Sequence, residues 1–263
     1  MINFFYYPFA LKALIVGGLV SICAALLGSI LVLKRHSLIG HSLADIGFAS
    51  TSLAVSLGLT SPLIVSMPVV VACSFFIMYL SQNKKIHGDI VIGIFSTSSL
   101  AIGVLIASLS QGLGRDVYTY MFGSILVMDD FDVAVSVLLS LIVLGLFFIF
   151  YNRLFLVTSD EVFAKSYGIN INFYHFLISS LTALTIVVGM RMMGTLLISS
   201  LVIFPSITAK RVARSFKSLM ILSSVVSFVC FTVGLLVSFQ FNIPTGASIV
   251  LANLLAFMMF CLI

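Results

Sequence analysis

His41 and Asp45 stand four residues apart inside an otherwise apolar stretch, and on a helix that spacing stacks both side chains on one face. A neutral imidazole beside a carboxylate is a ligand set that Zn2+, Mn2+ and Fe2+ all accept. The same pair can relay a proton. Of the eight acids only Asp45, and of the four histidines only His41, falls well inside an apolar segment. His36, His87 and His175 lie beside charged stretches and read as solvated or interfacial. An aspartate at the centre of a membrane helix costs roughly 2.5–3.5 kcal/mol, which points to a function or at least a partner. The plain alternative is a pair that satisfies itself within the fold. Two ligands are too few for a tight site. Two copies of the chain around a shared pore would bring four, enough to replace part of a dehydrated cation's lost hydration.

The segment that carries the pair is small and polar, with Ser37, Ser42, Ala44, Gly47, Ala49 and Ser52 around it. Such a helix packs tightly in a bundle or lines a wet path. The rest of the chain has a different character. Of its 263 residues 61% are hydrophobic and 8% charged, against about a quarter charged in soluble domains, so the bilayer must be the solvent for most of it. A span needs about 20 apolar residues. That length predicts helices at 9–33, 38–58, 62–81, 90–110, 131–152, 173–191, 193–209, 218–239 and 244–262. The run 173–209 is interrupted only by Arg191 and Gly194, which leaves eight or nine spans in an all-α polytopic integral membrane protein, a single transmembrane domain over 1–263.

The net charge of +5 is a topology signal rather than a mark of nucleic-acid binding. With 153–172 cytoplasmic, one side collects Lys34, Arg35, Lys84, Lys85, Arg153, Lys165, Lys210, Arg211, Arg214 and Lys217, and the other only Lys12, Arg115 and Arg191. Nine spans then put the N-terminus outside and the C-terminus inside. The four cysteines (Cys23, Cys73, Cys230, Cys261) sit in apolar runs without metal-ligand spacing and read as small buried hydrophobes. The opening residues lack the basic n-region of a cleaved signal. No Gly-Lys dipeptide occurs, so the sequence has no phosphate-cradling P-loop and reads as a non-enzyme.

Two connections are long. In the outer one, 111–130, an apolar piece at 118–127 is too short to span, and Asp129, Asp130 and Asp132 follow it. Those acids make either a cation-attracting outer mouth or an ordinary helix start. In the inner one, Thr158-Ser159-Asp160-Glu161-Val-Phe163-Ala164-Lys165-Ser-Tyr167-Gly168 predicts a two-turn helix. Ser159 is its N-cap, Asp160 and Glu161 complement the dipole, and Gly168 is its stop. From the residues alone it is either a docking element or an idle turn at the membrane surface.

Four stretches together resemble the membrane permease of bacterial ABC importers for zinc, manganese and iron. They are Leu33-Lys-Arg-His-Ser-Leu-Ile-Gly40, Met121-Phe-Gly-Ser-Ile-Leu126, Tyr151-Asn-Arg-Leu-Phe-Leu with Asp160 to Gly168, and Gly194-Thr-Leu-Leu-Ile-Ser-Ser-Leu-Val-Ile-Phe-Pro205-Ser-Ile-Thr-Ala209. The resemblance covers nearly the whole chain. It implies a cobalamin-importer-like (type II) ABC permease in the bacterial cytoplasmic membrane, working as a homodimer. Its partners would be two cytoplasmic ATP-binding subunits and an extracytoplasmic metal-binding protein, with the metal passing through and no permanent cofactor. It further implies that 159–168 is the coupling helix, with Ser159, Asp160, Glu161, Phe163, Ala164, Lys165, Tyr167 and Gly168 facing the ATPase. In such permeases the pore helix carries an Asp and, four residues later, a His. Here the types are exchanged, His41 first and Asp45 second, which preserves the ligand set on one face. A siderophore or cobalamin permease and a proton-coupled secondary transporter using His41 and Asp45 are the alternative readings. An intramembrane metal enzyme would need a third ligand and a base that the spans lack.

Overall fold

The computed structural model describes residues 8–59, 62–81, 88–109, 130–241 and 243–262. Among them eleven helices and no strands follow one another: α1 (Pro8–Leu33), α2 (Ile39–Ser56), α3 (Pro62–Ser81), α4 (Gly88–Leu109), α5 (Asp130–Ile149), α6 (Tyr151–Ser159), α7 (Glu161–Ser166), α8 (Ile171–Met193), α9 (Thr195–Val212), α10 (Phe216–Phe241) and α11 (Thr245–Leu262). The nine long helices match the nine expected spans to within three residues at each end. Six of them (α1, α4, α8, α9, α10, α11) are long and apolar enough to cross a bilayer outright, and α5 with α6, bent by 69°, makes a seventh candidate. The helix α2 has the length but is too polar to qualify alone, and only the Val65–Ser81 part of α3 counts as apolar helix.

Gly194 divides the 173–209 run into two helices. Its φ of 82° and ψ of 163° belong to a region open essentially to glycine alone, and the chain reverses there. Ile198 then packs back onto α8 so closely that a Cβ on Gly189 would lie 2.3 Å from its Cδ1. A continuous helix would hold those two positions well apart, so α8 and α9 are separate helices, each a candidate span. The orientation drawn from Lys and Arg is consistent with the packing, because residues assigned to the cytoplasmic side meet in space. Lys34 reaches Glu161 at 3.0 Å, and Arg153 donates to the Tyr174 hydroxyl at 3.0 Å.

The centre of the bundle is α1 with α8 and α9, bound by small residues and hydroxyls as membrane helices require. Ser29 of α1 donates to Ser223 of α10 at 2.9 Å and lies 3.3 Å from Ser206 of α9. Gly17 and Gly18 are seats for Phe231 and Phe228 of α10, and α1 runs through them unbroken. Ile94, Ile102 and Leu105 on α4, and Leu251, Leu255 and Met259 on α11, are exposed, as suits contact with lipid or another protein. Cys23 and Cys230 are buried as expected, Cys73 is half-buried, and Cys261 is exposed at the C-terminal end of α11.

Candidate metal-translocation site

The helix α2 is buried along most of its length, and the residues that escape cover lie along one side. His41, Asp45, Ala49 and Leu53 follow one another at four-residue steps, and of these only Asp45 is fully enclosed. The side chain of His41 is 54% exposed and that of Asp45 is 7% exposed. Two close packings hold the helix in place. Gly47 lies under Met190 of α8, where a Cβ would come within 2.9 Å of its Sδ, and Gly103 of α4 takes the ring of Phe48. Ser50 and Thr51 turn their hydroxyls back onto the Gly47 carbonyl at 2.9 and 3.0 Å, so these polar groups are satisfied within the helix.

Asp45 has a partner that comes from another element. The Ser96 hydroxyl of α4 donates to Asp45 Oδ2. His41 Nε2 lies 3.8 Å from the same oxygen, too far for a hydrogen bond. Two donors that each sit about 2.1 Å from one ion are roughly 3–4 Å apart, so the observed spacing suits a shared divalent metal as cargo. Among the described residues no third His, Cys, Asp or Glu joins them. One copy of the chain therefore offers, among the described residues, two ligands, an exposed His41 and an enclosed Asp45.

The cytoplasmic segment forms a helix, one residue later than expected. The preceding helix α6 runs through Ser159, and Asp160 takes the cap instead. Its extended backbone (φ −150°) lets the carboxylate accept from Val162 N at 2.9 Å and Phe163 N at 3.0 Å. Gly168, with φ 79°, is the left-handed stop that its type foretold. Phe163 and Tyr167 stack with ring centroids 6.3 Å apart on the solvent side with Val162, and Lys165 is also exposed. Ala164 is buried, and Glu161 turns toward Lys34.

Residues 6–263 match the ABC 3 transport family. The chain belongs to this family. Similar proteins include the manganese import system permease protein ScaB of Streptococcus gordonii, 31% identical over 252 residues that span 96% of this chain and 90% of ScaB. The manganese transport system membrane protein MntC of Listeria monocytogenes is 28% identical over 251 residues, 95% of this chain and 89% of MntC. The solved structure of PsaBC from Streptococcus pneumoniae in complex with Fab matches with a TM-score of 0.87 at 31% identity, covering 98% of this chain and 92% of the other. An inward-facing structure described as a metal-chelate type ABC transporter matches with a TM-score of 0.79 at 15% identity, covering 99% and 87%, a likeness of fold alone. As an ABC 3 family member the chain is a transport protein, and its several long apolar helices make it a multi-pass membrane component.

Two features of this ABC 3 permease differ from their sequence reading or escaped it. Ser96 went unnoticed among many serines, although Ser96-Thr97-Ser98-Ser99 puts four hydroxyls in a row inside an apolar helix, a signal of the right kind. His175, read as solvated or interfacial, is buried and lies 3.2 Å from both Lys34 Nζ and Glu161 Oε1. His36 is half-buried in the α1–α2 corner. Of the expected outer acids, Asp130 and Asp132 fall in the first turn of α5, while Asp129, His87 and the apolar piece at 118–127 lie outside the described residues.

Proposed function

We propose that this permease is the pore subunit of an ATP-driven importer of a divalent first-row transition metal, manganese foremost, with zinc and iron admitted by the same ligand chemistry. Two copies pair across the open face of α2, so that two His41–Asp45 pairs converge and four ligands replace part of the ion's hydration. An extracytoplasmic binding protein delivers the metal, and the cytoplasm receives it. ATP is hydrolysed by separate subunits that dock on the exposed Val162, Phe163 and Tyr167 face of α7. Residues Asp129, Asp130 and Asp132 gather cations at the outer mouth.

One observation carries this reading: an exposed histidine and an enclosed carboxylate stand one turn apart on a mostly buried helix, 3.8 Å apart, with the carboxylate bonded by Ser96 of a neighbouring helix. The resemblance to permeases named for manganese import favours that metal. The test is accumulation of Mn, Zn and Fe, resolved by mass spectrometry, in cells whose own importer is deleted and which carry wild type, His41→Ala or Asp45→Ala. Both variants should reach the membrane at normal levels and lose uptake of one metal. Wild-type accumulation of every metal in both would make the pair structural and defeat the proposal.

A further inference from the structure

A second cluster of ionisable side chains lies at the cytoplasmic end of the bundle, where the sequence reading expected only solvated groups. Lys34 Nζ sits 3.0 Å from Glu161 Oε1 and 3.2 Å from His175 Nδ1, and His175 Nε2 lies 3.2 Å from the same Glu161 oxygen. One arrangement of protons satisfies all three contacts. The ammonium donates to the carboxylate and to Nδ1, and a neutral imidazole donates from Nε2 to the carboxylate. The side chains of Lys34 and His175 are 6% and 9% exposed, whereas Glu161 is 51% exposed.

The three residues come from three different parts of the chain. Lys34 directly follows α1 and opens the corner into α2, Glu161 is the first residue of α7, and His175 lies in the first turns of α8. The corner is stiff. Lys34 N bonds Ile30 O at 3.0 Å and His36 N bonds Leu31 O at 2.8 Å, while Ile39 N bonds His36 O at 3.1 Å and starts α2. Lys34 and His41 are seven positions apart, joined by that bonded corner and the first turn of α2. Glu161 reaches Lys34 and Ala164 is buried, whereas Phe163 and Tyr167 are exposed, so the contact to the bundle is made by other residues than the docking face.

The electrostatics make the contact hard to dispense with. Burial pushes the Lys34 ammonium below its ordinary value, and the Glu161 carboxylate offsets part of that. Burial alone would raise the Glu161 carboxyl, but the hydrogen bond and charge of Lys34, then His175 and His36, outweigh it and hold it below its ordinary 4.5. Beside the cluster a cavity of about 560 Å3, lined by His36, Ser81, Glu161, Lys165, Asn172 and His175, leaves room for the contact to shift.

We propose that Lys34, Glu161 and His175 are positioning residues that carry displacement of α7 into the α1–α2 corner, and so to His41 and Asp45, an inference that rests on the importer reading above. Removing the link leaves docking and ATP hydrolysis in place and uncouples them from metal passage.

The test uses the permease purified with its ATP-binding subunits, reconstituted in liposomes and supplied with manganese-loaded binding protein, and reads metal imported per ATP hydrolysed. Glu161→Gln and Lys34→Met should keep the subunit stoichiometry and hydrolyse ATP within about twofold of wild type. Each should import about fivefold less metal per ATP, the scale of one half-exposed charge-assisted hydrogen bond. The exchange Lys34→Glu with Glu161→Lys restores the pair and should restore the ratio. A wild-type ratio in both single variants overturns the proposal, as does a fall that the exchange leaves unrepaired, which marks a merely structural role. If Lys34→Met does not assemble, the isosteric Glu161→Gln decides alone. A wild-type complex that hydrolyses ATP but imports no metal would sink the importer reading, and this inference with it.

Discussion

Replacing Ser96 by alanine removes one hydroxyl and tests whether the site is built or accidental. Two effects oppose each other. An Asp45 carboxylate released from Ser96 has more charge to offer a metal, which strengthens each metal–oxygen bond. It also loses the donor that fixes Oδ2 beside His41 Nε2, 3.8 Å away. The orientation effect is the larger, because the carboxyl torsion of aspartate is broad and nearly two-fold, so a freed carboxyl turns that oxygen away at little cost. A hydrogen bond to a charged group is worth about 1.5–3 kcal/mol, and loss of an outer partner of a metal ligand weakens metal binding about 10- to 100-fold. The metal concentration that half-saturates uptake should therefore rise about 10- to 100-fold in Ser96→Ala, while Ser96→Thr, which keeps the hydroxyl, stays within about threefold of wild type. The assay is initial-rate uptake of manganese in membrane vesicles over a range of concentrations. An unchanged half-saturation in Ser96→Ala would refute the reasoning and reduce Ser96 to a group that satisfies a buried carboxylate.

Gly194→Ala forces a side chain onto a glycine-only backbone and should cost about 1–3 kcal/mol, seen as a lower thermal midpoint of the detergent-solubilised protein. Asp160→Ala strips the cap from a six-residue helix, a loss of about 1 kcal/mol, and should lower recovery of ATP-binding subunits in pull-downs, with Asp160→Asn retaining most of it. The Glu161 carboxyl is held below its ordinary 4.5, so its contribution to stability is full above that value and disappears as pH falls through the folded-state value. Thermal midpoints of wild type and Glu161→Gln should accordingly differ above about pH 5 and converge only as pH falls through the folded-state value, below 4.5. Midpoints that stay equally apart across that range would contradict the cited direction.

What could be read in advance followed from local physics. Twenty apolar residues announce a span whatever surrounds them, and the described helices follow those windows closely. The i,i+4 face of His41 and Asp45 needed only helical geometry, and Gly168 needed only a preference for the left-handed turn. Contacts between distant parts of the chain were not accessible in this way. Ser96 reaches Asp45 across 51 positions, and His175 meets Lys34 across 141, pairings that depend on which helices lie side by side. The misplaced cap has a local cause of its own. Ser159 is a good cap by type, but α6 continues through it, and the adjacent carboxylate accepts two backbone N–H groups.

The low apolarity of α2 has a consequence for how the protein is made. Asp45 leaves the ribosome 51 residues ahead of Ser96, an interval of roughly 3–10 s at ordinary synthesis rates. During those seconds the helix least suited to lipid carries an aspartate whose partner does not yet exist. Its commitment to the bilayer is thus deferred until α4 emerges. A lesion in α4, or a translation pause between the two, would appear first as a misthreaded α2, degraded before any question of transport arises.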